Sequence, residues 1–279
     1  MKQRIISAVA GLAVLLAVLI LYDTVVLNIT LSAIIAIAIY ELLKACGAFA
    51  APVAIPSILL GAAAPFIGTE TTKQFLPVVC VLFVIILFCY LLKAHKKFNA
   101  EKIGFVFFFT VAVSFSTSCF VYARDIFGVT VGLYIALLTL AGAWLNDTGA
   151  YFGGMLFGKH KLAPVISPKK TVEGFVSGII VSIISQLLFT FVFVWIANKF
   201  YGVEIYADYL KVAVTGPVVA LVSVLGDLSA SAIKRQYGIK DFGNIMPGHG
   251  GVLDRFDSVL MTLPLVYNIM VYCPLITIK

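Results

Sequence analysis

Apolar residues run through this chain in long blocks, each about as long as a helix that crosses a bilayer. A hydrocarbon core of roughly 30 Å requires about 20 helical residues, and most blocks are apolar on every face, as burial in lipid or in a bundle demands. Transmembrane strands would be about ten residues long with strict alternation, which these blocks lack. The sequence therefore predicts an all-α polytopic membrane protein with about nine spans: 5–22, 25–45, 49–67, 75–92, 103–123, 127–145, 172–197, 210–233 and 252–273.

Two of these blocks have irregular features. Pro52, Pro56 and Pro65 interrupt the third block. The first block follows Lys2 and Arg4, as the apolar part of a secretory signal would. No clear small-residue cleavage site follows it, however, and the next block starts within a few residues. We therefore interpret the first block as a membrane span.

The basic residues predict the orientation of these spans. If the N-terminus lies inside, about three quarters of the 20 Lys and Arg residues fall in inner segments or at inner span ends. Cytoplasmic loops of membrane proteins carry such an excess of positive charge. We therefore expect nine spans with a cytoplasmic N-terminus. The same rule explains the net charge of +7 without nucleic acid as a partner.

The composition supports the membrane class. Hydrophobic residues make up 62% of the chain and charged residues 12%, whereas soluble domains carry about 25% charged residues. These values exclude a soluble enzyme, and the high apolar content excludes a disordered chain. The five cysteines lie in or beside apolar blocks and form no C-x-x-C pair. They are typical of small buried side chains rather than of a zinc site or a disulfide scaffold.

Polar residues concentrate in two predicted inner segments, 146–174 and 226–258. Both are long, glycine-rich and charged, although a loop that only connects two helices needs few residues. We therefore divide the chain into a hydrophobic transmembrane scaffold, 1–140, and a catalytic transmembrane region, 141–279, whose site faces the cytoplasm.

The first polar segment begins with Asp147 at the end of the sixth predicted span. Ala150, Gly154 and Gly158 follow at intervals of four and leave one smooth helical face, which is typical of helix packing through small residues.

Next, a proline flanked by hydroxyls and lysines, in the run Ser167-Pro-Lys169-Lys170-Thr171, predicts the start of a helix. A helix N-terminus with two lysines and two hydroxyls suits a phosphate group. An ordinary helix cap beside lysines that only obey the charge rule is the alternative.

The second polar segment contains Asp227 near the inner end of an apolar block, where an ionisable group is costly and therefore a functional candidate. At helical spacing Asp227, Ser231 and Lys234 share one face. A carboxylate and a hydroxyl one turn apart can hold a hard cation, and the lysine can hold a phosphate. Alternatively, Asp227 and Lys234 form a pair that lets the helix end near the interface.

Asp254 and Asp257 are three residues apart at the start of the ninth predicted span, so they too share a face. Paired carboxylates suit Mg²⁺, which takes its remaining ligands from water and substrate phosphates. Two acids in a first helical turn could instead only complement the helix dipole.

His249 lies among glycines that allow close approach to a ligand, and no second His or Cys nearby supports zinc. Acids and bases together favour phosphoryl or nucleotidyl transfer onto a lipid.

Three motifs in the second polar segment resemble the signature of the phosphatidate cytidylyltransferases, also called CDP-diacylglycerol synthases. They are Ser231-Ala-Ile-Lys-Arg, Lys240-Asp-Phe-Gly and the run Pro-Gly-His-Gly-Gly-Val-Leu-Asp-Arg-Phe-Asp-Ser at 247–258. The first polar segment, from Asp147 to Gly174, is similar to a second hallmark of that family. The N-terminal third resembles the family only in its hydrophobic helices.

The resemblance implies a transfer of CMP from CTP to phosphatidic acid, Mg²⁺ with a possible second cation such as K⁺, and a homodimer in the bacterial inner membrane. Phosphatidate would attack the α-phosphorus of CTP at the cytoplasmic face. The catalytic residues would be Asp227, Asp254 and Lys234. The metal ligands would be Asp227, Asp254, Asp257 and Asp147. The substrate-binding residues would be Ser167, Lys169, Lys170, Thr171, Ser231, Arg235, His249, Gly250 and Arg255.

Three alternatives belong to other functional classes. A secondary transporter would also place an acid in a span, but it would show charges near the midplane and an internal repeat. A CTP-dependent lipid kinase would use the γ-phosphate of CTP. A CDP-alcohol phosphotransferase needs a D-x-x-D-G-x-x-A-R motif, which this chain does not match. Ser258 stands at the glycine position, and Met261-Thr262 stand at the Ala-Arg position.

Overall fold

The computed structural model describes residues 2–67, 72–96, 98–246, 248 and 250–279, and the chain is mostly helical. Its α-helices are α1 (Lys2–Ile20), α2 (Val25–Ala45), α3 (Ala54–Ala63), α4 (Leu76–Ala94), α5 (Ala100–Phe157), α6 (Val172–Phe200), α7 (Tyr209–Gln236) and α8 (Leu253–Tyr272). Its strands are β1 (Lys161–Ala163), β2 (Ser167–Thr171), β3 (Ile205–Ala207) and β4 (Ile276–Ile278). β1 pairs with β2 and β3 pairs with β4, both antiparallel.

Within the described residues, five helices are long and apolar enough to cross a membrane: α2, α4, α5, α6 and α7. The predicted all-α membrane class is therefore confirmed, whereas the count of nine spans and the orientation stay predictions. The fifth and sixth predicted spans lie in the single 58-residue element α5. Gly128 divides that element, because its backbone (φ 81°, ψ 168°) is not helical and its positive φ suits glycine.

The backbone forms two compact units. The predicted division into a scaffold, 1–140, and a catalytic region, 141–279, concerns function and stays a prediction. The first unit comprises Met1–Val129 and Lys234–Phe256. Polar side chains join its helices: Arg124 Nη1 donates to Oδ1 of the buried Asn28 at 3.0 Å, and Asn28 Nδ2 donates to the carbonyl of Pro65 at 2.7 Å. These bonds satisfy polar groups that would otherwise be costly in an apolar interior.

The second unit comprises Thr130–Ile233 and Asp257–Lys279. Its helices approach one another at glycines. A Cβ on Gly216 would lie 2.9 Å from Ile183 Cα, and one on Gly226 would lie 2.7 Å from the carbonyl of Asp257. Because a real Cβ does not fit at such distances, α7 lies directly against α6 and α8 at these points.

The segment from Ser167 to Thr171 is a strand, so the prediction that Pro168 begins a helix was wrong. The residue before a proline is disfavoured in the helical region, and β2 pairs with β1 through Lys161 opposite Thr171. Helix α6 begins one residue later, at Val172. Thr171 caps it by accepting the Gly174 N–H on Oγ1 at 3.1 Å.

Candidate active site

Three predicted acids meet in the second unit, one each from α5, α7 and α8. The Ser258 hydroxyl lies within hydrogen-bond reach of Asp147 Oδ2 (3.3 Å) and Asp257 Oδ1 (3.4 Å). Asp147 is also close enough to Asp227 and Lys170 for their charges to act on it. The structure therefore brings together three of the four acids predicted as metal ligands, although they are separated by up to 110 residues in sequence.

Lys170 and Asp227 form an ion pair between β2 and α7. Their side chains are 22% and 25% exposed, so the pair is largely shielded from water. Ser231 Oγ donates to Asp227 Oδ1 at 3.3 Å, which confirms the predicted shared face of Asp227 and Ser231. The partner of Asp227 within this unit is thus Lys170, a lysine of the first polar segment. We name this set, Asp147, Lys170, Asp227, Ser231, Asp257 and Ser258, the acid cluster.

The small-residue face of α5 positions the strand that carries Lys170. A Cβ on Gly154 would lie 2.9 Å from Thr171 Oγ1, and one on Gly174 would lie 2.6 Å from the carbonyl of Ala150. The predicted packing face is therefore confirmed, and its partner is the start of α6. Close backbone contact at this point sets where β2 ends.

Glu173, in the first turn of α6, ties down the start of the hairpin. Its carboxylate accepts the backbone N–H of Lys159 at 3.0 Å and of His160 at 3.2 Å, and it contacts His160 Nδ1 at 2.6 Å. Val172 N–H donates to the carbonyl of His160 at 2.9 Å. These bonds fix both ends of the β1–β2 hairpin at the N-terminus of α6.

The first unit holds a second set of charged residues around Asp254. Lys234 Nζ lies 2.7 Å from Asp254 Oδ1, and both residues are at least nine-tenths buried. Asp254 Oδ2 accepts the backbone N–H of Phe242 at 2.8 Å and of Gly251 at 3.0 Å. Lys234 also lies over the Phe242 ring, 5.4 Å from its centre. Asp254 therefore folds the glycine loop back onto the end of α7.

Glu41 of α2 completes this set, which we name the loop clamp: Glu41, Lys234 and Asp254 with the backbone of Phe242, Gly243 and Gly251–Leu253. Only 1% of Glu41 is exposed. It accepts the N–H groups of Val252 (3.1 Å) and Leu253 (2.9 Å).

The other predicted substrate-binding residues neighbour members of these two sets in sequence. Lys169, Arg235 and Arg255 are exposed, and Ser167 is partly exposed. Gly248 and Gly250 have positive φ values of 78° and 85°, and Met246 N–H donates to the carbonyl of Gly250 at 3.0 Å. The glycines thus permit the tight turn predicted for this loop. His249 lies outside the described residues.

The chemistry of the acid cluster fits Mg²⁺. Its donors are carboxylate and hydroxyl oxygens, which are the ligands that Mg²⁺ prefers, and this ion commonly takes only one or two carboxylates beside water and phosphate. Among the described residues no group of three or more His, Cys, Asp or Glu side chains could hold a metal ion, so water and substrate phosphates would supply the remaining ligands. The carboxylate of Asp254 has less room for a metal ion than those of the acid cluster. Three donors already occupy most of its roughly four acceptor positions.

Comparison with known proteins gives a match along nearly the whole chain. The model of the cytidylyltransferase family matches residues 2–273. The chain belongs to this family. It is 32% identical over 278 residues to the phosphatidate cytidylyltransferase of Staphylococcus haemolyticus, which covers 97% of this chain and 99% of that protein. The Staphylococcus aureus protein of the same name is 33% identical with the same coverage. The Bacillus subtilis protein of that name is 36% identical over 192 residues, 67% of this chain and 65% of its own.

Sequence reasoning missed two acids that hold the family motifs in place. Glu41 is an ionisable residue inside an apolar block, which is the same signal that identified Asp227. Glu173 follows Thr171 in a predicted helix start, where an acid is ordinarily explained by the helix dipole. Neither pattern reveals which backbone groups the carboxylate will bind.

Proposed function

We propose that this protein is an integral membrane enzyme that transfers CMP from CTP to phosphatidic acid, giving CDP-diacylglycerol and pyrophosphate. The observation that carries the proposal is the similarity over 99% of the length of relatives that bear this activity in their names. The family match includes both polar segments. The acid cluster lies within those segments, as does the loop clamp apart from Glu41, and each set carries charged groups of the kind that such a transfer needs.

The chemical step requires alignment more than proton transfer. The phosphate oxygens of phosphatidic acid are already ionised, so attack on the α-phosphorus of CTP needs no strong general base. An in-line displacement is accelerated by holding the two phosphates in position and by neutralising the charge that builds up on them. The three acids and Lys170 of the acid cluster supply charges of this kind.

In this proposal Mg²⁺ would take one or two ligands from Asp147, Asp227 and Asp257 and the rest from water and substrate phosphates, with K⁺ as a candidate second cation. Bound there, the ion would neutralise phosphate charge. The metal role of Asp254 stays a prediction. A cation at Asp254 would have to share the carboxylate with Lys234 and with two backbone N–H groups.

Lysines and hydroxyls would bind the phosphates of the two substrates. Asp227 neutralises Lys170 in the structure. Before the substrates bind, this ion pair would keep the charges of both side chains neutralised. A cation bound to Asp227 would then free the Lys170 ammonium group to bind a phosphate. The remaining predicted phosphate and nucleotide contacts are Ser167, Lys169, Thr171, Ser231, Lys234, Arg235, His249, Gly250 and Arg255.

The proposed topology follows from the charge distribution. Nine spans with a cytoplasmic N-terminus would place both polar segments on the inner side of the membrane, where CTP is available. Phosphatidic acid would enter laterally from the bilayer. We propose that the enzyme resides in the bacterial inner membrane as a homodimer.

The test uses purified protein in detergent with phosphatidic acid, Mg²⁺ and CTP labelled separately at the α- and γ-phosphates. We expect the α-label to enter lipid while pyrophosphate accumulates. Movement of the γ-label into lipid would identify a lipid kinase and contradict the proposal. If neither label moved with lipid present, nucleotidyl transfer would be refuted and counterflow in proteoliposomes would test for transport.

A further inference from the structure

Glu41 supplies hydrogen-bond acceptors to the start of α8 from 211 and 212 residues away in sequence. Helix α8 begins at Leu253, and the first N–H groups of a helix have no partner within it. Glu41 Oε2 accepts from Leu253 N–H at 2.9 Å, and Oε1 accepts from Val252 N–H at 3.1 Å. The carboxylate thus acts as an external cap for this helix. It does so while almost completely buried.

The loop before α8 passes directly against the same carboxylate. A Cβ on Gly251 would lie 2.5 Å from both Glu41 oxygens, and a Cβ on Gly243 would also clash with Oε1. Both positions therefore require glycine as long as Glu41 keeps its place. Close packing and hydrogen bonding at one carboxylate indicate a fixed junction rather than a loosely held loop.

Glu41 and Asp254 divide the backbone N–H groups of this junction between them. Asp254 Oδ2 accepts those of Phe242 and Gly251, while Glu41 accepts those of Val252 and Leu253. Lys234 pairs with Asp254 through its other oxygen. Displacing Glu41 would release the first turn of α8, which carries Asp254 itself.

We propose that Glu41 is a positioning residue of the enzyme: it holds the glycine loop and the first turn of α8 so that Asp254 and Lys234 are correctly placed. The consequence for catalysis rests on the proposed function. The consequence for the loop does not rest on the proposed function, because it concerns only the hydrogen bonds from Val252 and Leu253 to Glu41. Glu41 needs no contact with either substrate for this role.

The decisive variant is Glu41→Gln in the full-length protein. Glutamine has the same shape but only one acceptor oxygen, so its NH₂ group would face one of the two N–H donors. We expect amide exchange at 248–253 to become faster and kcat to fall about tenfold to a hundredfold, as displacement of catalytic groups by about 1 Å does. The KM for phosphatidic acid should change much less. Asn28→Leu is the matched control, because Asn28 is a buried polar residue of the same helix and unit that bonds elsewhere. It should lower the thermal midpoint without changing kcat or exchange at 248–253.

A pair of further variants keeps the inference testable if Glu41→Gln folds poorly. Gly251→Ala should reduce turnover because its Cβ meets the Glu41 carboxylate. Adding Glu41→Asp should restore part of that turnover, since the shorter acid leaves room. Such non-additivity marks direct contact between two residues.

Two results would overturn the inference. Unchanged exchange at 248–253 in Glu41→Gln would show that the carboxylate does not hold the loop. Faster exchange with wild-type kcat would show that the loop junction has no part in positioning the catalytic groups. Failure of the wild-type protein to move the α-label would instead refute the proposed function, and the exchange result would still decide whether Glu41 holds the loop.

Discussion

The ion pair between Lys170 and Asp227 offers the sharpest test of the acid cluster. Replacing Asp227 by Asn keeps the shape of the side chain and its bond to Ser231 but removes the charge opposite Lys170. Breaking a fully buried pair costs about 3–5 kcal/mol, and an exposed pair contributes about 0–1 kcal/mol. At 22% and 25% exposure, the expected loss lies between these limits, at about 1–2 kcal/mol. For a chain of this size that corresponds to a thermal midpoint lower by about 2–8 °C.

The loss of activity should be much larger than the loss of stability. Asp227 is a proposed ligand for Mg²⁺ and the partner of Lys170, so Asp227→Asn removes charge stabilisation at the reacting phosphates. Removing one such group typically reduces kcat by about 10²–10³. The assay is transfer of α-labelled CMP into lipid over a Mg²⁺ titration, with the thermal midpoint measured on the same preparation.

Asp208→Asn is the matched control for this variant. Asp208 pairs with Lys211 at 3.3 Å, but both side chains are more than 40% exposed. It also accepts the Lys211 backbone N–H at 3.1 Å as a cap of α7, and Asn is an equally good cap. We expect turnover within about twofold of wild type by the same cap preference. If Asp227→Asn retained wild-type turnover at limiting Mg²⁺, the assignment of Asp227 to the reaction would be wrong.

Two more predictions concern the start of α6. Thr171→Ala removes the acceptor for Gly174 N–H and should lower the free energy of unfolding by about 1 kcal/mol. Thr171→Ser keeps the hydroxyl and should keep the stability of the wild type. Thermal melts of both variants test this, and equal midpoints for the two would argue against the cap. Gly174→Ala places a Cβ 2.6 Å from the carbonyl of Ala150 and should sharply reduce folded yield. Gly104→Ala is the control, because a Cβ at this helical glycine would meet nothing within 4 Å, and it should be neutral or stabilising. The folded yield of each variant is measured by size-exclusion chromatography. Similar yields for Gly174→Ala and Gly104→Ala would contradict the close contact between Gly174 and Ala150.

The sequence predicted the helices well because their apolar blocks are long and nearly free of charge. It also singled out Asp227, because an acid inside an apolar block is costly and needs an explanation, and it paired Asp254 with Asp257 at the start of a helix. That these acids and Asp147 would share a metal followed from the chemistry of a common ligand rather than from any local pattern. The structure brings Asp147, Asp227 and Asp257 together but places Asp254 in the loop clamp, and the shared metal stays a prediction.

The contacts that hold the motifs in place could not be predicted in the same way. Glu41 binds backbone groups more than 200 residues away, and backbone N–H groups leave no trace in a residue pattern. Strand β2 was mistaken for a helix start because Pro168 is compatible with both, and only its pairing with β1 decides between them. The sequence breaks the fifth and sixth predicted spans at the charged pair Arg124 and Asp125, whereas the structure carries both spans in the single element α5, whose non-helical residue is Gly128.

The most direct test of the central claim is the stereochemical course at the α-phosphorus. The substrate is one diastereomer of CTP with sulfur at the α-position, and the configuration of the CDP-diacylglycerol product is determined. Direct in-line attack by the phosphatidic acid oxygen predicts inversion. Retention would require two displacements through a covalent CMP–enzyme intermediate, and it would contradict the proposal that this protein only aligns and neutralises its two substrates.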